Sequence, residues 1–257
     1  MKFSVIIPAR YASSRLPGKP LVDIGGAPMI KHVHDRAMQA GAHRVVIATD
    51  DQRIRDVAEG FGADVTMTAS DHESGSDRLA EVAEILGLDD DEIIVNLQGD
   101  EPLMPPQTIR QVAEDLNSHT DADMASLCSP LEHIDDIFDP NVVKTILDKD
   151  GYAIYFSRAP APWHRDSFHD NPTQLPDMDV FYRHIGLYCY RAGFLRQYVS
   201  WDPAPLEKIE CLEQLRALWN GKRLYCGLAK HPSSGPSVDT EKDLHEVREI
   251  YFRSTQK

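Results

Sequence analysis

Three cations lie within ten residues of one another in a loop that follows the first apolar run of the chain. They are Arg10, Arg15 and Lys19, and the apolar run, 3–7, is typical of a buried strand. Arginine offers a bidentate fork to phosphate oxygens, whereas lysine acts as a compact positive charge. The chain as a whole is acidic, with 27 Lys and Arg against 41 Asp and Glu and a formal net charge of −14. A cationic cluster against this background predicts a loop that binds a polyphosphate.

This loop matches neither of the two commonest phosphate-binding patterns. It contains no GxGxxG, and Ser13 stands where the GxxxxGK[ST] pattern requires its first glycine. It offers instead backbone amides, the hydroxyls of Ser13 and Ser14, and the three cations. Because surface loops are often simply polar, a solvated loop without a ligand is the alternative at this point.

Two aspartates are candidate metal ligands. Asp100 follows the apolar run 93–97, so its carboxylate is expected at the edge of a sheet. Mg²⁺ commonly binds there through one or two carboxylates together with substrate phosphates. Asp239 is the second candidate. Each aspartate also has a structural alternative. Asp100 could be an ordinary turn residue before Pro102, and residues 239–240 could form a helix N-cap, a role that is compatible with metal binding.

The elements that must position these residues alternate between strand and helix in the first half of the chain. The runs 3–7, 44–49 and 93–97 are almost continuously apolar, as in parallel strands buried on both faces, and 64–68 is a further strand. Segments with helical spacing of apolar residues separate them. This alternation predicts a doubly wound α/β fold with a mostly parallel sheet, whose ligands bind at the carboxyl ends of the strands.

The second half is expected to be less regular, without a flexible linker that would separate two domains. Its predicted elements are a hairpin at 142–157, a loop at 159–180, strands at 184–190 and 223–229, one helix over 206–218 and a last helix from about Thr240.

Composition excludes several classes of function. The net charge of −14 disfavours a nucleic-acid partner. No apolar run is long enough to span a membrane, and no signal peptide is recognised. The four cysteines form no CxxC pair and lie in apolar stretches, as in a reduced protein, so a cytoplasmic location is expected.

Segment 6–21 closely resembles the N-terminal signature of the 3-deoxy-manno-octulosonate (Kdo) cytidylyltransferases. Its R-x-x-S-x-R-x-x-x-K pattern is shared with CMP-sialic acid synthetases and other sugar nucleotidyltransferases. Further matching segments extend the resemblance over nearly the whole chain: 45–51, 74–79, 96–102, 155–159, 183–188, 206–207, 212–216 and 238–240. The combination is much more specific than any single segment.

The resemblance implies a single Rossmann-like nucleotidyltransferase domain over 1–257 with an inserted hairpin and dimerisation subdomain. Residues 1–130 would be the nucleotide-binding half, about 131–235 the sugar-binding and dimerisation region, and 236–257 the C-terminal helix. The implied reaction transfers CMP from CTP to the anomeric hydroxyl of Kdo, giving CMP-Kdo and pyrophosphate for lipopolysaccharide synthesis. Mg²⁺ and a homodimer are expected. Two alternatives stay open: another acid sugar, such as sialic acid or 8-amino-Kdo, and a non-catalytic nucleotide-binding module.

The same resemblance implies a role for each site residue. Catalytic roles fall to Arg10, Lys19 and Asp100, and metal binding to Asp100 and Asp239. Nucleotide contacts are expected from Pro8, Ala9, Arg10, Arg15, Lys19, Ser76, Arg78 and Gln98. Sugar contacts are expected from Gln98, Arg158, His184, Tyr188, Glu213 and Gln214. The residues alone leave structural alternatives open. Arg78 could be an exposed residue at the start of a helix, and His184 and Tyr188 could be ordinary core residues. Residues 213–214 could form only the polar edge of a helix.

Overall fold

A mixed β-sheet runs through the middle of the molecule. The computed structural model describes residues 1–12, 15–72, 74–169, 172–231 and 235–255. The strands are β1 (Ser4–Ala9), β2 (Asp23–Ile24), β3 (Ala27–Pro28), β4 (Arg44–Thr49), β5 (Asp64–Met67), β6 (Ile93–Asn96), β7 (Met124–Pro130), β8 (Lys144–Leu147), β9 (Ala153–Ser157), β10 (Tyr182–Arg191) and β11 (Leu224–Leu228). The helices are α1 (Met29–Gln39), α2 (Gln52–Gly60), α3 (Gly75–Ile85), α4 (Pro106–Ser118), α5 (Ile134–Phe138), α6 (Ala192–Val199), α7 (Pro205–Glu210), α8 (Leu215–Trp219) and α9 (Glu241–Thr255).

The strand order confirms the predicted mostly parallel, doubly wound sheet. Along the main path the order is β11-β7-β10-β6-β1-β4-β5. β6, β1, β4 and β5 are parallel neighbours, and β7 is parallel to β11. β10 runs antiparallel between β6 and β7, and the hairpin of β8 and β9 attaches to it through β8.

Both faces of the central strands are buried, which explains their continuous apolar sequence. Ile7 belongs to the cluster that packs against α1, α2 and α4, whereas its neighbour Ile6 belongs to the cluster on the side of α3 and α6. Alternate residues of β1 therefore serve opposite layers, as a doubly wound fold requires. No helix among the described residues is long and apolar enough to cross a membrane.

The single helix predicted over 206–218 is wrong. The structure has two short helices, α7 and α8, and between them Cys211 adopts the left-handed conformation with φ 52°. A residue with a side chain takes that conformation only when its surroundings require it, and continuous leucine spacing does not reveal such a break. The break has a consequence for the site, because it presents Glu213 and Gln214 from a turn rather than from a helix side.

The sequence-based prediction also omits β7, α5 and α6. β7 contains small and weakly strand-forming residues, including Ala125, Ser126 and Ser129. It becomes a strand because β10 and β11 pair with it on both sides, and this tertiary contribution outweighs local propensity.

The carboxyl ends of β1, β4 and β6 meet at one edge of the sheet. The loop after β1, the 97–102 segment after β6 and the N-terminus of α3 all lie there. This is the position at which doubly wound folds bind ligands.

Candidate active site

A cavity of about 330 Å³ opens at this edge of the sheet. It contains almost every residue predicted to contact the nucleotide or the metal. Its lining comprises Pro8, Ala9, Arg10, Ala12, Arg15, Lys19, Pro20, Gly75, Arg78, Gln98, Gly99, Asp100 and Asp239. Residues that are far apart in sequence therefore form one site, and Ser76 is the predicted nucleotide contact that does not line it. Ser13 and Ser14, whose hydroxyls the sequence offered to phosphate, lie outside the described residues.

Lys19 lies at the centre of a charge cluster in this cavity. Its Nζ donates to Asp100 Oδ2 at 2.6 Å and to Asp239 Oδ1 at 3.1 Å. Arg15 Nη2 also lies 3.1 Å from Asp239 Oδ1. Burial alone would lower the pKa of Lys19, but the charges and hydrogen bonds of the two aspartates raise it above its usual value. The ammonium is therefore charged, and both carboxylates face the same point.

Local backbone structure brings the two aspartates to Lys19. Gly18 precedes Lys19 with φ 70°, and a Cβ at Gly18 would lie about 3.1 Å from the ring of Tyr11. This left-handed conformation, which favours glycine, lets the chain turn back over the end of β1. On the other side, the backbone N–H of Val238 donates to the carbonyl oxygen of Asp100 at 2.9 Å, which fixes the two acidic segments next to each other.

The N-cap alternative for Asp239 is resolved by α9. Thr240 Oγ1 accepts from the backbone N–H of Asp243 at 3.3 Å, and Asp243 Oδ2 accepts from the N–H of Thr240 at 2.8 Å. This reciprocal pair is a capping box with Thr240 as the cap. The Asp239 carboxylate is therefore left for Lys19 and Arg15.

The donor set fits Mg²⁺ that arrives with phosphates. Two carboxylates, those of Asp100 and Asp239, have oxygens within hydrogen-bond distance of one cation, which means that they converge on a single point. Among the residues that the structure describes, no group of three or more His, Cys, Asp or Glu side chains could hold a metal alone. Mg²⁺ requires only one or two carboxylates when substrate phosphates and water complete its shell.

Glu101 is an acidic neighbour that the sequence analysis missed. Burial raises its pKa to about 7, although the hydroxyl of Ser237 donates to the carboxylate and opposes this shift. The nearby charges of Asp100 and Asp239 raise the pKa further. In the sequence, only the position of Glu101 next to Asp100 pointed to a role in the site, and that position does not show that its carboxylate is buried.

Arg78 is buried rather than exposed, which excludes the helix-start alternative. Its side chain is 1% exposed. Nη1 donates to Thr68 Oγ1 and lies 3.4 Å from Asp50 Oδ1, whereas Nη2 has no hydrogen-bond partner among the described residues. Burial lowers the pKa of Arg78, and the nearby charge of Arg10 lowers it further. An unpaired buried N–H at the wall of the cavity suits an anionic or carbonyl ligand.

The predicted sugar residues form a second group on β10 and in the turn between α7 and α8. The Tyr188 hydroxyl donates to Gln214 Oε1 at 2.8 Å, and Gln214 Nε2 is buried without a partner among the described residues. The ring of His184 lies 5.4 Å from that of Tyr188, and its Nε2 is 2.8 Å from Ser126 Oγ. Burial lowers the pKa of His184 to about 3, so the imidazole is neutral.

Two predicted contacts are placed differently from the expectation. Ser76 is fully buried and its hydroxyl donates to Glu213 Oε1, which joins it to the sugar group rather than to the nucleotide cavity. Arg158 donates through Nε to the carbonyl oxygen of Glu210 at 2.7 Å and through Nη1 to that of Pro140 at 2.9 Å. No described hydrogen bond or ion pair joins Arg158 to the other sugar residues, so its sugar contact stays a prediction.

The two groups adjoin each other through β6. Tyr188 is the cross-strand partner of Asn96, and Asn96 Oδ1 accepts from Gln98 Nε2 at 3.1 Å. Gln98 in turn lines the nucleotide cavity. The arrangement can hold a polyphosphate and a divalent cation on one side and a polyhydroxylated ligand on the other.

Known proteins resemble this chain over almost its full length. The cytidylyltransferase family model matches residues 4–224. The 3-deoxy-manno-octulosonate cytidylyltransferase of Coxiella burnetii (strain RSA 493 / Nine Mile phase I) is 57% identical over 252 residues, which is 98% of this chain and 100% of the relative. The protein with the same description from Hahella chejuensis (strain KCTC 2396) is 55% identical over 254 residues, or 98% and 99% of the two chains.

A solved structure is similar over the same extent. It is described as CMP:2-keto-3-deoxy-manno-octonic acid synthetase complexed with CTP, and it is 37% identical with a TM-score of 0.89. The match covers 99% of this chain and 100% of that structure. The sequence identity of 57% and 55% to two relatives over almost the whole chain, together with the shared fold, shows that the chain belongs to the 3-deoxy-manno-octulosonate cytidylyltransferase family.

Proposed function

We propose that this chain transfers CMP from CTP to the anomeric hydroxyl of Kdo and releases pyrophosphate. The observation that carries the proposal is the contact of the Lys19 ammonium with both Asp100 and Asp239, at the sheet edge where family members are expected to bind a nucleotide. In the reaction, the anomeric oxygen forms a bond to the α-phosphorus while the bond from that phosphorus to the bridging oxygen breaks. Pyrophosphate leaves with the electron pair.

Catalysis by this site would consist mainly of charge stabilisation and positioning. Phosphoryl-type transfer requires little covalent participation by protein groups. Arg10, Arg15 and Lys19 line one cavity, where they would neutralise the triphosphate and the charge that develops on pyrophosphate. Arg78 would contribute its unpaired Nη2 to the nucleotide.

Asp100 and Asp239 would hold the Mg²⁺. When bound, Mg²⁺ would lower the pKa of the anomeric hydroxyl and screen phosphate charge. The hydroxyl proton would pass to water, so no protein general base is needed. The Asp100→Asn variant is expected to lose at least about a hundredfold in kcat at saturating Mg²⁺. Asp35→Asn, which changes an exposed carboxylate in a surface pair with Lys31, is the matched control. A kcat for Asp100→Asn close to that of the control would remove the metal role.

The sugar would bind beside the nucleotide, against Tyr188, Glu213 and Gln214. The unpaired Nε2 of Gln214 is a donor for a sugar hydroxyl, and the Glu213 carboxylate is an acceptor. Neutral His184 would act as a hydrogen-bonding group rather than as a cation for the sugar carboxylate. Arg158 would have to exchange its two carbonyl partners for the substrate in order to contribute that charge.

A pyrophosphate-release assay tests the proposed function. Purified protein would be incubated with Mg²⁺ and CTP alone, and then with CTP together with Kdo, 8-amino-Kdo or sialic acid. We expect release that requires Kdo and a kcat/KM that is highest for Kdo. A higher kcat/KM for another acid sugar would reassign the substrate, and no release with any of them would favour a nucleotide-binding module.

We further propose that the chain forms a homodimer through one apolar surface of the inserted region, next to the hairpin of β8 and β9. Several large apolar side chains within 131–235 are substantially exposed: Phe138, Ile154, Trp163, Met178, Val180 and Leu228. Four of these, at 163, 178, 180 and 228, line one open cavity next to the hairpin of β8 and β9. A second copy of the chain would cover this apolar surface.

A further inference from the structure

A buried serine on β7 contacts three groups of β10. The side chain of Ser126 is fully buried. Its Oγ lies 2.8 Å from His184 Nε2, and 3.1 and 3.0 Å from the carbonyl oxygens of Ile185 and Leu187. Because a hydroxyl has a single proton, these contacts restrict which atom donates to which.

The contacts occur where the pairing of β7 with β10 is interrupted. The pairing register shifts between Ile185 and Cys189 of β10, so Ser126 alone on β7 stands opposite three residues, 186–188. A bulge of this kind disrupts the ladder of backbone hydrogen bonds and is common next to active sites, where it redirects a side chain. The Ser126 hydroxyl supplies a donor to two carbonyl oxygens at this interruption.

The number of protons fixes the direction of each contact. A carbonyl oxygen can only accept, so the two carbonyls share the proton of Ser126. His184 Nε2 must then carry the ring proton and donate it to Ser126 Oγ. The opposite assignment would place the hydroxyl oxygen against two carbonyl oxygens, at 3.0 and 3.1 Å, without a proton between them. Since burial keeps the imidazole neutral, the ring has no second proton, and Nδ1 is an acceptor.

This acceptor nitrogen is the polar atom that the His184 ring has left for a ligand. Among the residues that the structure describes, none hydrogen-bonds Nδ1. The ring packs against those of Phe156 and Tyr188, with centroids 4.8 and 5.4 Å away, and His184 lines a cavity of about 430 Å³. A lone pair in this position accepts from a hydroxyl and repels a carboxylate.

We propose that Ser126 is a positioning residue that fixes the tautomer of His184, so that His184 accepts a hydrogen bond from a hydroxyl of the sugar. Ser126 acts only through the imidazole, because its own hydroxyl is occupied by β10. The inference rests on the proposed function for the identity of the ligand, Kdo. It excludes His184 as a partner of the sugar carboxylate.

Nitrogen NMR of the histidine rings tests the tautomer without any substrate. In protein labelled with isotopic histidine at about pH 7.5, the signals of His184 are identified by their loss in His184→Asn. We expect a protonated Nε2 and an unprotonated Nδ1 in the wild type, and a smaller protonated fraction of Nε2 in Ser126→Ala. A proton on Nδ1 in the wild type, or an unchanged protonated fraction in Ser126→Ala, would overturn the inference.

Steady-state kinetics test the consequence for the sugar. Ser126→Ala should raise the KM for Kdo by about tenfold, as for the loss of one well-placed hydrogen bond, with kcat and the KM for CTP within about twofold of the wild type. Ser4→Ala is the matched control, because Ser4 is a buried serine on β1 that donates to Glu92 Oε1 at 2.8 Å. It should change none of these values.

An equal KM for Kdo in the two serine variants would contradict the role of Ser126. If Ser126→Ala does not fold, the spectrum of the wild type still decides which nitrogen carries the proton. Wild-type protein that releases no pyrophosphate with CTP and Kdo would refute the proposed function, whereas the NMR result on the tautomer does not depend on activity.

Discussion

At the scale of single residues, the site depends on opposite charges held at short distance. Lys19 contacts two carboxylates that stand 81 and 220 positions away in the sequence. Because the Lys19 side chain is mostly buried, its charge is screened less by water than that of a surface lysine. We therefore expect Lys19 to contribute more than Arg15, whose side chain is 63% exposed.

The Lys19→Met variant should lose about a hundredfold to a thousandfold in kcat/KM, as for the removal of one preorganised electrostatic stabiliser. The measurement is steady-state turnover with CTP and Kdo. Lys31→Met is a suitable control, because Lys31 contacts Asp35 at the same 2.6 Å but on an exposed helix face. Equal kinetics for the two variants would show that Lys19 serves only the fold.

His184 should make stability depend on pH. Its folded-state pKa is about 3, against 6.5 for an ordinary histidine, because burial disfavours the charged imidazole. Below about pH 6.5 the unfolded chain takes up a proton that the folded chain does not. The free energy of unfolding therefore decreases as the pH is lowered from about 6.5 to about 3. Above that window the residue contributes no pH dependence. Tyr188, which faces it, stays protonated, since burial raises its pKa well above the usual value.

Urea denaturation at about pH 7.5 and about pH 5.5 measures this effect. The wild type should lose about 1 kcal/mol more than His184→Asn between the two conditions, a figure reduced for the partial exposure of the ring. Asparagine keeps a polar group toward Ser126 but does not titrate. Parallel losses in both proteins would show that other groups dominate the acid sensitivity.

At the scale of elements, the break between α7 and α8 gives the sugar group its geometry. Glu207 on α7 accepts two bonds from Arg216 on α8, at 2.6 and 2.9 Å, and both side chains are buried. The Glu207 carboxylate also accepts from the backbone N–H of Ala204 at 2.9 Å. This pair spans the turn that carries Glu213 and Gln214, and thereby holds them toward β10.

The Arg216→Met variant should be destabilised by about 3 kcal/mol, because it leaves the Glu207 carboxylate buried without its partner. The free energy of unfolding in urea is the measurement. Arg55→Met removes an exposed pair with Glu59 and should cost less than about 1 kcal/mol. A similarly small loss for Arg216→Met would mean that the α7–α8 turn is held by packing alone.

At the scale of the whole molecule, the positive charge of the nucleotide cavity and the exposed apolar surface lie in different regions. The chain carries a formal net charge of −14, yet the nucleotide cavity is lined by four cations, Arg10, Arg15, Lys19 and Arg78. A locally positive cavity in an acidic protein attracts a polyphosphate but not an extended nucleic-acid backbone. The exposed apolar side chains of the inserted region lie apart from this cavity, as the proposed dimer requires.

The Trp163→Glu variant should convert the proposed dimer to a monomer, because it places a charge within the apolar surface. Light scattering at micromolar concentration measures the mass. Trp219→Glu is the control, since Trp219 is about equally exposed, 57% against 52%, but does not line the cavity that contains Trp163. A monomeric wild type, or a Trp163→Glu variant that stays dimeric, would contradict this interface.

The sequence by itself was sufficient to predict the first-half strands and helices and the cations of the first loop. The apolar runs that form β1, β4 and β6 are dictated by burial on both faces, which is a local signal. Loop motifs such as 10–19 and 96–102 are contiguous, so their resemblance to the family could be read directly.

The tertiary structure decided which of these residues meet. The short distances from Lys19 to Asp100 and Asp239, the burial of Arg78, the contact of Ser76 with Glu213 and the left-handed Cys211 all depend on elements packed from distant parts of the chain. Composition and periodicity report the average environment of a segment, whereas a hydrogen-bond partner or a desolvated charge depends on which segment folds against it. For that reason the sequence predicted the kinds of groups in this site, and only the fold determined their partners.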